Sequence, residues 1–206
     1  MLYFIKIGFF FFSFCLLGVV SSGGHIIDPS YQLKKAVTEV LEIIYDNEPL
    51  DAQAKEKAVL DTLSQYYDLD VIIRRSIGRN WEKIDLDHRD TILELIKQLV
   101  VRAYVDGMST VSKPEIHYDT VRQLSPKRAE IQTNLSLGDQ SIQLSYRFGQ
   151  MSSKWQIFDI LIENISLVAT YRNQFDAFFI RNDSHNLIIK LQELLSDENL
   201  GQSLPL

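Results

Sequence analysis

Hydrophobic positions in the first half of the chain recur at helical spacing. Between residues 33 and 44 the apolar side chains follow steps of three and four residues, which places them on one face of a helix. Asp28-Pro29-Ser30 is a typical helix start, and Asn47 and Pro49 are typical of a helix end. The same spacing predicts three further helices, over about residues 51–66, 68–77 and 87–107.

After Pro114 the period of the pattern changes to two. Apolar and polar residues alternate over 128–137 and again over 141–148, and a weaker alternation covers 115–121. Gly138-Asp139, between the two longer runs, is a hairpin signal. This pattern predicts successive antiparallel strands with one wet face and one dry face.

The stretch after Gly149 differs from these strands, because it is apolar in both phases. Strict alternation would put Trp155, Ile157 and Leu161 on one face, and it would put Phe158, Ile160 and Ile162 on the other. We therefore predict an interior strand of a curved sheet, covered on both sides. Two helices follow, over about 166–181 and 185–196. The predicted fold class is α+β: N-terminal helices, a curved antiparallel four-stranded meander and C-terminal helices.

Residues 1–22 have the pattern of a signal peptide. Lys6 precedes an apolar run from Ile7 to Val20, and Val20 and Ser22 fit the small-residue positions of a cleavage site. The alternative, a retained membrane anchor, needs about 20 apolar residues, more than this run contains. The prediction is a cleaved signal peptide over 1–22 and a single domain over 23–206.

Composition limits the cellular compartments and the classes of partner that fit this sequence. The only cysteine, Cys15, lies in the predicted signal peptide, so the remaining domain would contain no disulfide. An exported domain stabilised by packing alone is more typical of the bacterial periplasm than of the extracellular space. The formal net charge of −6 argues against a nucleic-acid partner, since binding phosphates requires lysine and arginine.

Catalytic and metal-binding motifs are missing from the sequence: it contains no glycine-rich phosphate loop, GxSxG, HExxH or CxxC. The four histidines are scattered, so we expect no metal site and no cofactor. Asp159 is the most suspicious ionisable residue, because a buried carboxylate in an apolar strand could act as a base. We favour a structural role for it, with Arg172 as a candidate partner.

Apolar side chains on several predicted elements could meet, but periodicity does not distinguish a filled core from a lined cavity. A resemblance adds to this reading. The stretch WQIFDILIENISLVATYRNQFDAFF, residues 155–179, resembles the C-terminal signature of the MlaC, or toluene-tolerance, family. YYDLDVIIRRSIGRNW, residues 66–81, is similar to an upstream segment of that family. Asn164 replaces the usual glycine, and asparagine is the next most tolerant residue if positive φ is needed there.

The resemblance implies a periplasmic carrier with no enzymatic activity, which holds phospholipid acyl chains in an apolar cavity between sheet and helices. It also implies transient docking to an outer-membrane lipoprotein of the Mla type and to an inner-membrane ABC-transporter complex with a lipid-binding ring. Such a carrier would maintain the lipid asymmetry of the outer membrane. Three alternatives remain open: a carrier of hopanoids or other polycyclic lipids, an enzyme with Asp159 as base, and an adaptor with a solid core.

The residues expected to line the cavity come from the fourth helix, the last two long strands and the fifth helix. Arg147 and Arg172 are candidates for meeting a head group at its mouth. The predicted lipid-binding residues are Val100, Tyr104, Ile142, Leu144, Tyr146, Phe148, Phe158, Ile160, Ile162, Val168, Tyr171 and Phe175.

Overall fold

The computed structural model describes residues 28–45, 50–138, 140–152 and 154–197. The predicted signal peptide, 1–22, and the predicted end of the first helix at Asn47 and Pro49 lie outside these residues. Four helices come first: α1 (Pro29–Tyr45), α2 (Ala52–Tyr66), α3 (Leu69–Ile77) and α4 (Arg89–Ser109). Two short 3₁₀ segments, Gly78–Lys83 and Leu86–His88, connect α3 to α4.

Strands and two further helices form the second half of the chain. The strands are β1 (Glu115–Tyr118), β2 (Arg122–Ser125), β3 (Arg128–Leu137), β4 (Gln140–Met151), β5 (Lys154–Ile162) and β6 (Ile165–Ser166). The helices are α5 (Leu167–Phe178) and α6 (Ser184–Ser196). The predicted α+β class and element order are confirmed. None of the helices in the described ranges is both long and apolar enough to cross a membrane.

Side-chain caps explain several helix starts. The carboxylates of Asp51 and Asp183 and the hydroxyl of Ser166 each accept a hydrogen bond from a backbone N–H in the first turn of the helix that follows. Gly78 ends α3 with φ of 62°, a backbone conformation that favours glycine. A Cβ there would also lie 2.9 Å from Nε of Arg172, whose flexible side chain would have to move. Gly107 does not end α4 as predicted, since the helix continues to Ser109.

The sheet is antiparallel, with strand order β1-β3-β4-β5-β6 and with β2 also paired to β3. The described residues thus form six strands where the pattern predicted a four-stranded meander. Two short segments make the difference. The strand predicted over 115–121 ends at Tyr118 as β1, and β2 is an additional strand that begins at Arg122. Strand β6 adds two residues beside β5.

A β-bulge in β5 changes which residues share a face. Arg147 pairs with Asp159, whereas Phe148 pairs with Ile157, so Phe158 is an extra residue without a partner on β4. Trp155 and Ile157 therefore lie on the same face as Ile160 and Ile162. The predicted assignment of faces by strict alternation was wrong, because one inserted residue reverses the phase.

We call the face that carries Phe148 the inner face and the face that carries Arg147 the outer face. On the inner face Leu33 and Ala36 of α1 pack against a buried group from the sheet, which contains Ala129, Ile131, Phe148 and Trp155. On the outer face, α3 and α5 contact β5. Strand β5 is thus covered on both sides, as its apolar sequence predicted.

The helices pack into two further apolar clusters. The larger cluster joins α3, α4, α5 and α6 through residues such as Ile73, Ile92, Phe175 and Leu187. The smaller cluster joins the second half of α1 to α2 and to the second half of α4. Helix α4 therefore belongs to both clusters.

Candidate functional site

On the inner face, burial of the β4 side chains decreases from Phe148 back towards Ile142 at the start of the strand. Phe148 is fully buried, whereas Tyr146, Leu144 and Ile142 are only half-buried. Ile162, which lies across from Leu144 on β5, is 39% exposed. One end of the inner face is thus a packed core under α1, and the other end is an apolar surface that the helices cover incompletely.

Helix α4 contributes apolar surface near this incompletely covered end. Val100 is 48% exposed and Tyr104 is 39% exposed, although both lie on a helix whose other face is buried. Burial nevertheless raises the pKa of Tyr104 to about 12. Protein therefore surrounds this hydroxyl, although the side chain as a whole keeps accessible surface. Burial, and then the neighbouring Tyr104 and Tyr118, raise the pKa of Tyr146 as well.

The sequence did not predict two buried hydroxyls on the inner side of the sheet, those of Tyr67 and Thr133. Tyr67, which follows α2, is 6% exposed, and its ring centroid lies 6.3 Å from that of Phe148. Its hydroxyl oxygen is buried without a hydrogen-bond partner in the described part of the chain, and the same holds for Oγ1 of Thr133 on β3. The resemblance did place Tyr67 in a family motif, but nothing in the sequence showed that its hydroxyl would be unpaired.

The twelve predicted lining residues fall into separate groups. Six of them share the inner face of the sheet: Ile142, Leu144, Tyr146, Phe148, Ile160 and Ile162. Val100 and Tyr104 are exposed on α4, and Tyr104 is near enough to Tyr146 to contribute to its raised pKa. Tyr171 and Phe175 instead belong to the large helix cluster, and Val168 is buried at the start of α5.

Phe158 lies away from the inner face, as the bulge requires. The guanidinium carbons of Arg75 and Arg128 lie 4.9 and 5.8 Å from its ring centroid. A Cβ added to Gly149 would contact the Phe158 ring at 3.3 Å. The assignment of Phe158 to the lining of an inner cavity was wrong, because strict alternation does not apply across a bulge.

A polar cavity of about 350 Å³ opens elsewhere, where the end of α2 and the start of α3 meet β5. Its lining consists of Ser64, Gln65, Tyr66, Tyr67, Asp68, Leu69, Asp70, Lys97, Lys154 and Gln156. None of the twelve predicted residues is among them. A polar cavity does not solvate hydrocarbon, so it does not match the apolar cavity that the sequence resemblance implies.

Asp159 is held by structural contacts on the outer face. Both of its carboxylate oxygens accept from Oγ of Ser166 at 2.9 Å, and one accepts from the backbone N–H of Val168 at 3.3 Å. Its cationic neighbour is Arg147, whose Nη1 lies 3.6 Å from Oδ2 of Asp159. Arg172 instead donates to the backbone carbonyl of Arg75, so the predicted pairing of Asp159 with Arg172 was wrong.

These contacts fasten β5 to the start of α5. Ser166 also caps α5 by accepting from the N–H of Ala169. The turn between β5 and β6 contains Glu163 and Asn164 at φ of 49° and 66°, so Asn164 does occupy a position with positive φ. Among the described residues no group of three or more histidine, cysteine or acidic side chains could hold a metal ion.

Comparison with known proteins identifies the family. The family model described as MlaC protein matches residues 34–193. A solved structure of a phospholipid-binding protein from Ralstonia solanacearum, in complex with a phospholipid, has a similar fold: the TM-score is 0.69 and the identity 23%, over 81% of this chain and 96% of that one. No curated protein matches the sequence. Because the family model covers more than half of the chain, the protein belongs to the MlaC family.

Proposed function

We propose that the protein is a non-enzymatic carrier that binds phospholipid by its acyl chains and moves it between the outer and inner membranes. The observation that carries this proposal is the family match over residues 34–193. The similarity to a fold that holds a phospholipid in the Ralstonia protein supports it. The incompletely covered apolar end of the inner face is the part of this chain suited to hydrocarbon.

The proposed site, which we call the lipid chamber, lies between the inner face and α4. Half-buried and exposed apolar residues form its walls, and Phe148 forms its floor. Its lining consists of Val100, Tyr104, Ile142, Leu144, Tyr146, Phe148, Ile160 and Ile162. Val168, Tyr171 and Phe175 would act behind this lining, by holding the helices in place.

The energetics suit a carrier. Burying one methylene group contributes about 0.8 kcal/mol, so removing two long acyl chains from water contributes on the order of 20 kcal/mol. This free energy would prevent loss of lipid during transit. A membrane or a lipid-binding partner offers the chains a similar environment, so exchange at a docked partner would be nearly neutral. The phosphate would stay at the chamber mouth, because an unpaired buried charge is costly.

The proposed location is the periplasm, reached through cleavage of the signal peptide predicted over 1–22. The proposed partners are an outer-membrane lipoprotein of the Mla type and an inner-membrane ABC-transporter complex with a lipid-binding ring. The acidic net charge suits transient docking, since it disfavours permanent residence on an anionic membrane surface.

To test this function, the protein is purified from the periplasm of its native host, its lipid is extracted with organic solvent, and the lipid is identified by mass spectrometry. We expect a two-tailed phosphate lipid at close to one molecule per chain. A neutral triterpenoid in its place would favour the hopanoid alternative. Recovery of no lipid from folded protein, with no uptake from phospholipid vesicles, would contradict the proposal.

A further inference from the structure

Helix α6 lies along α4 but ends before α4 does. At the start of α6, Oγ of Ser184 lies 2.8 Å from Nδ1 of His88, the residue before α4. At the end of α6, Arg102 of α4 donates to the backbone carbonyls of Leu195, at 2.5 Å, and Asp197, at 3.1 Å. The two helices therefore run in the same direction, and α4 continues for about two turns beyond the end of α6.

One face of α4 close to this end keeps apolar surface. Val100, Tyr104 and Gly107 are spaced by four and three residues, so they share one face of the helix. Val100 and Tyr104 are exposed, and so is Val111, just after the helix. A Cβ added to Gly107 would have no neighbour within 4 Å among the described residues. We call Val100, Tyr104, Gly107 and Val111 the open stripe of α4.

The open stripe lies close to the sheet. Burial, followed by the neighbouring Tyr104 and Tyr118, raises the pKa of Tyr146 on β4. Burial, followed by Tyr45 and Tyr118, raises the pKa of Tyr104 itself. Tyr104 thus lies beside inner-face residues of β1 and β4, and a segment that covered the stripe would lie at the edge of the proposed lipid chamber.

The chain leaves α6 next to the open stripe. Residues 198–206 follow α6 and lie outside the described residues. Fully extended, a segment of this length spans about 30 Å, whereas Arg102 and Val111 are about 14 Å apart along the helix axis. Because Asp197 is tied to Arg102, the segment can reach the whole stripe. Its sequence has one charged side chain and three leucines: Leu200, Leu204 and Leu206.

We propose that residues 198–206 lie along the open stripe in the lipid-free protein, with their leucines on its apolar side chains, and that phospholipid displaces them. The displacement rests on the proposed carrier function. Covering exposed apolar surface is favourable, and a segment tethered beside its site acts at an effective concentration on the order of millimolar. Ordering the segment costs conformational entropy, so the contact is weak enough for lipid to replace it.

A disulfide between two engineered cysteines tests the position of the segment. The only natural cysteine lies in the predicted signal peptide, so Gly107→Cys with Ser203→Cys gives a single pair in the mature protein. Gln98→Cys with Ser203→Cys is the matched control, because Gln98 is exposed on another face of α4 and is similarly close to Arg102 in sequence. After reduction, dilute lipid-free protein is reoxidised and examined by intact-protein mass spectrometry. We expect at least fivefold more intramolecular disulfide in the Gly107 pair, and loading with phosphatidylglycerol should lower it to the control level.

Replacing the three leucines by serine tests the competition. In the Gly107→Cys, Ser203→Cys background the substitutions should lower the disulfide to the control level. In the otherwise wild-type chain they should tighten the binding of phosphatidylglycerol from vesicles by about fivefold, because the stripe is then free in nearly all molecules. Asn199→Ser with Gln202→Ser is the polar control in the same segment, and it should change neither quantity.

The outcomes separate the position of the segment from the carrier function. Equal disulfide in the two cysteine pairs would overturn the position, and disulfides between two copies through Gly107→Cys alone would assign the stripe to a second copy instead. Should Gly107→Cys fail to fold, Val111→Cys takes its place in the same comparison. A specific disulfide that persists in lipid-loaded protein, or unchanged lipid affinity in the leucine variant, would overturn the displacement. Folded wild type that binds no phospholipid would contradict the carrier function, and the disulfide ratio would still decide where the segment lies.

Discussion

The two faces of the sheet differ in whether their polar groups have hydrogen-bond or ion-pair partners. On the outer face a continuous chain of contacts joins Arg122, Glu130, Arg147 and Asp159, and Ser166 completes it. On the inner face the hydroxyls of Tyr67 and Thr133 are buried without partners in the described residues, beside apolar side chains that keep free surface. The outer face thus pairs these polar groups with one another, whereas the inner face combines two unpaired buried hydroxyls with apolar side chains that keep accessible surface.

This difference separates stability from binding. Changes on the outer face should destabilise the fold and leave lipid uptake by folded protein unchanged. Changes on the inner face should reduce lipid uptake and leave the stability of the fold unchanged. Substitutions on the two faces can therefore be compared by the free energy of unfolding and by the lipid bound per folded molecule.

Asp159→Ala should give the largest effect, on the outer face. It removes the acceptor of Ser166 and of the Val168 N–H and leaves Arg147 with one carboxylate fewer. We expect a loss of about 3 kcal/mol in the free energy of unfolding, measured with urea. Asp61→Ala, at an exposed i,i+4 pair with Lys57, should cost no more than about 0.5 kcal/mol.

Lipid bound per folded molecule should be unchanged in Asp159→Ala. Loss of lipid at unchanged stability would place Asp159 in the binding site and would contradict the division between the faces. Turnover of a substrate that vanishes in Asp159→Asn, with lipid binding intact, would revive the enzyme alternative.

Leu144→Arg should act on the inner face. A guanidinium in the lipid chamber would have to be desolvated when acyl chains enter, so we expect at least tenfold less lipid per folded molecule. Because Leu144 is only half-buried, the arginine can keep water in the absence of lipid, and the fold should persist. Lipid extraction and circular dichroism on the same sample measure the two quantities.

Ser141→Arg is the matched control for Leu144→Arg. It adds the same charge to the same strand at an exposed position of the outer face, and it should leave lipid uptake unchanged. Equal loss of lipid in both variants would show that the added charge, and not its position on the inner face, causes the loss. Unfolding of Leu144→Arg together with normal behaviour of Ser141→Arg would support the solid-core alternative.

The smallest effect concerns pH and the outer face. Burial acts to raise the pKa of Glu130, but hydrogen bonds from Arg147 and Arg122 outweigh it and hold this pKa below its usual value of 4.5. A carboxylate whose pKa is lowered by folding stabilises the protein above its unfolded-state pKa and loses that contribution as pH falls through the folded-state pKa. Glu130→Gln should therefore be less stable than wild type at pH 7, with the gap narrowing below about pH 4.5. Urea unfolding between pH 3 and pH 7 checks this, and a gap independent of pH would contradict it.

Periodicity was sufficient to predict the helices and the three long strands, because each buries a regular stripe of side chains. It failed at Phe158, since a bulge depends on the pairing partner and leaves no local signature in a strand that is apolar in both phases. The same inserted residue separates Asp159 from the face of Trp155 and Ile157 and places it opposite Arg147. The end of β1 at Tyr118 and the extra strand β2 also depended on β3, with which both strands pair.

The candidate site was predictable only in outline. Leu144 and Tyr146 were visible as apolar positions of a strand, but whether they face a core or a gap is decided by how closely α4 approaches. The unpaired hydroxyl of Tyr67 could not be predicted at all. The absence of a partner for it among the described residues is seen only when every neighbour has been placed.

Photocrosslinking at adjacent positions of β5 tests the central claim most directly. A photoactivatable benzoylphenylalanine replaces Ile160, on the inner face, or Leu161, on the outer face, and the protein is loaded with phospholipid and irradiated. The account predicts a lipid adduct, identified by intact-protein mass spectrometry, at position 160 and little or none at position 161. An adduct at 161 alone, or at neither position in protein that carries lipid, would contradict a lipid chamber on the inner face.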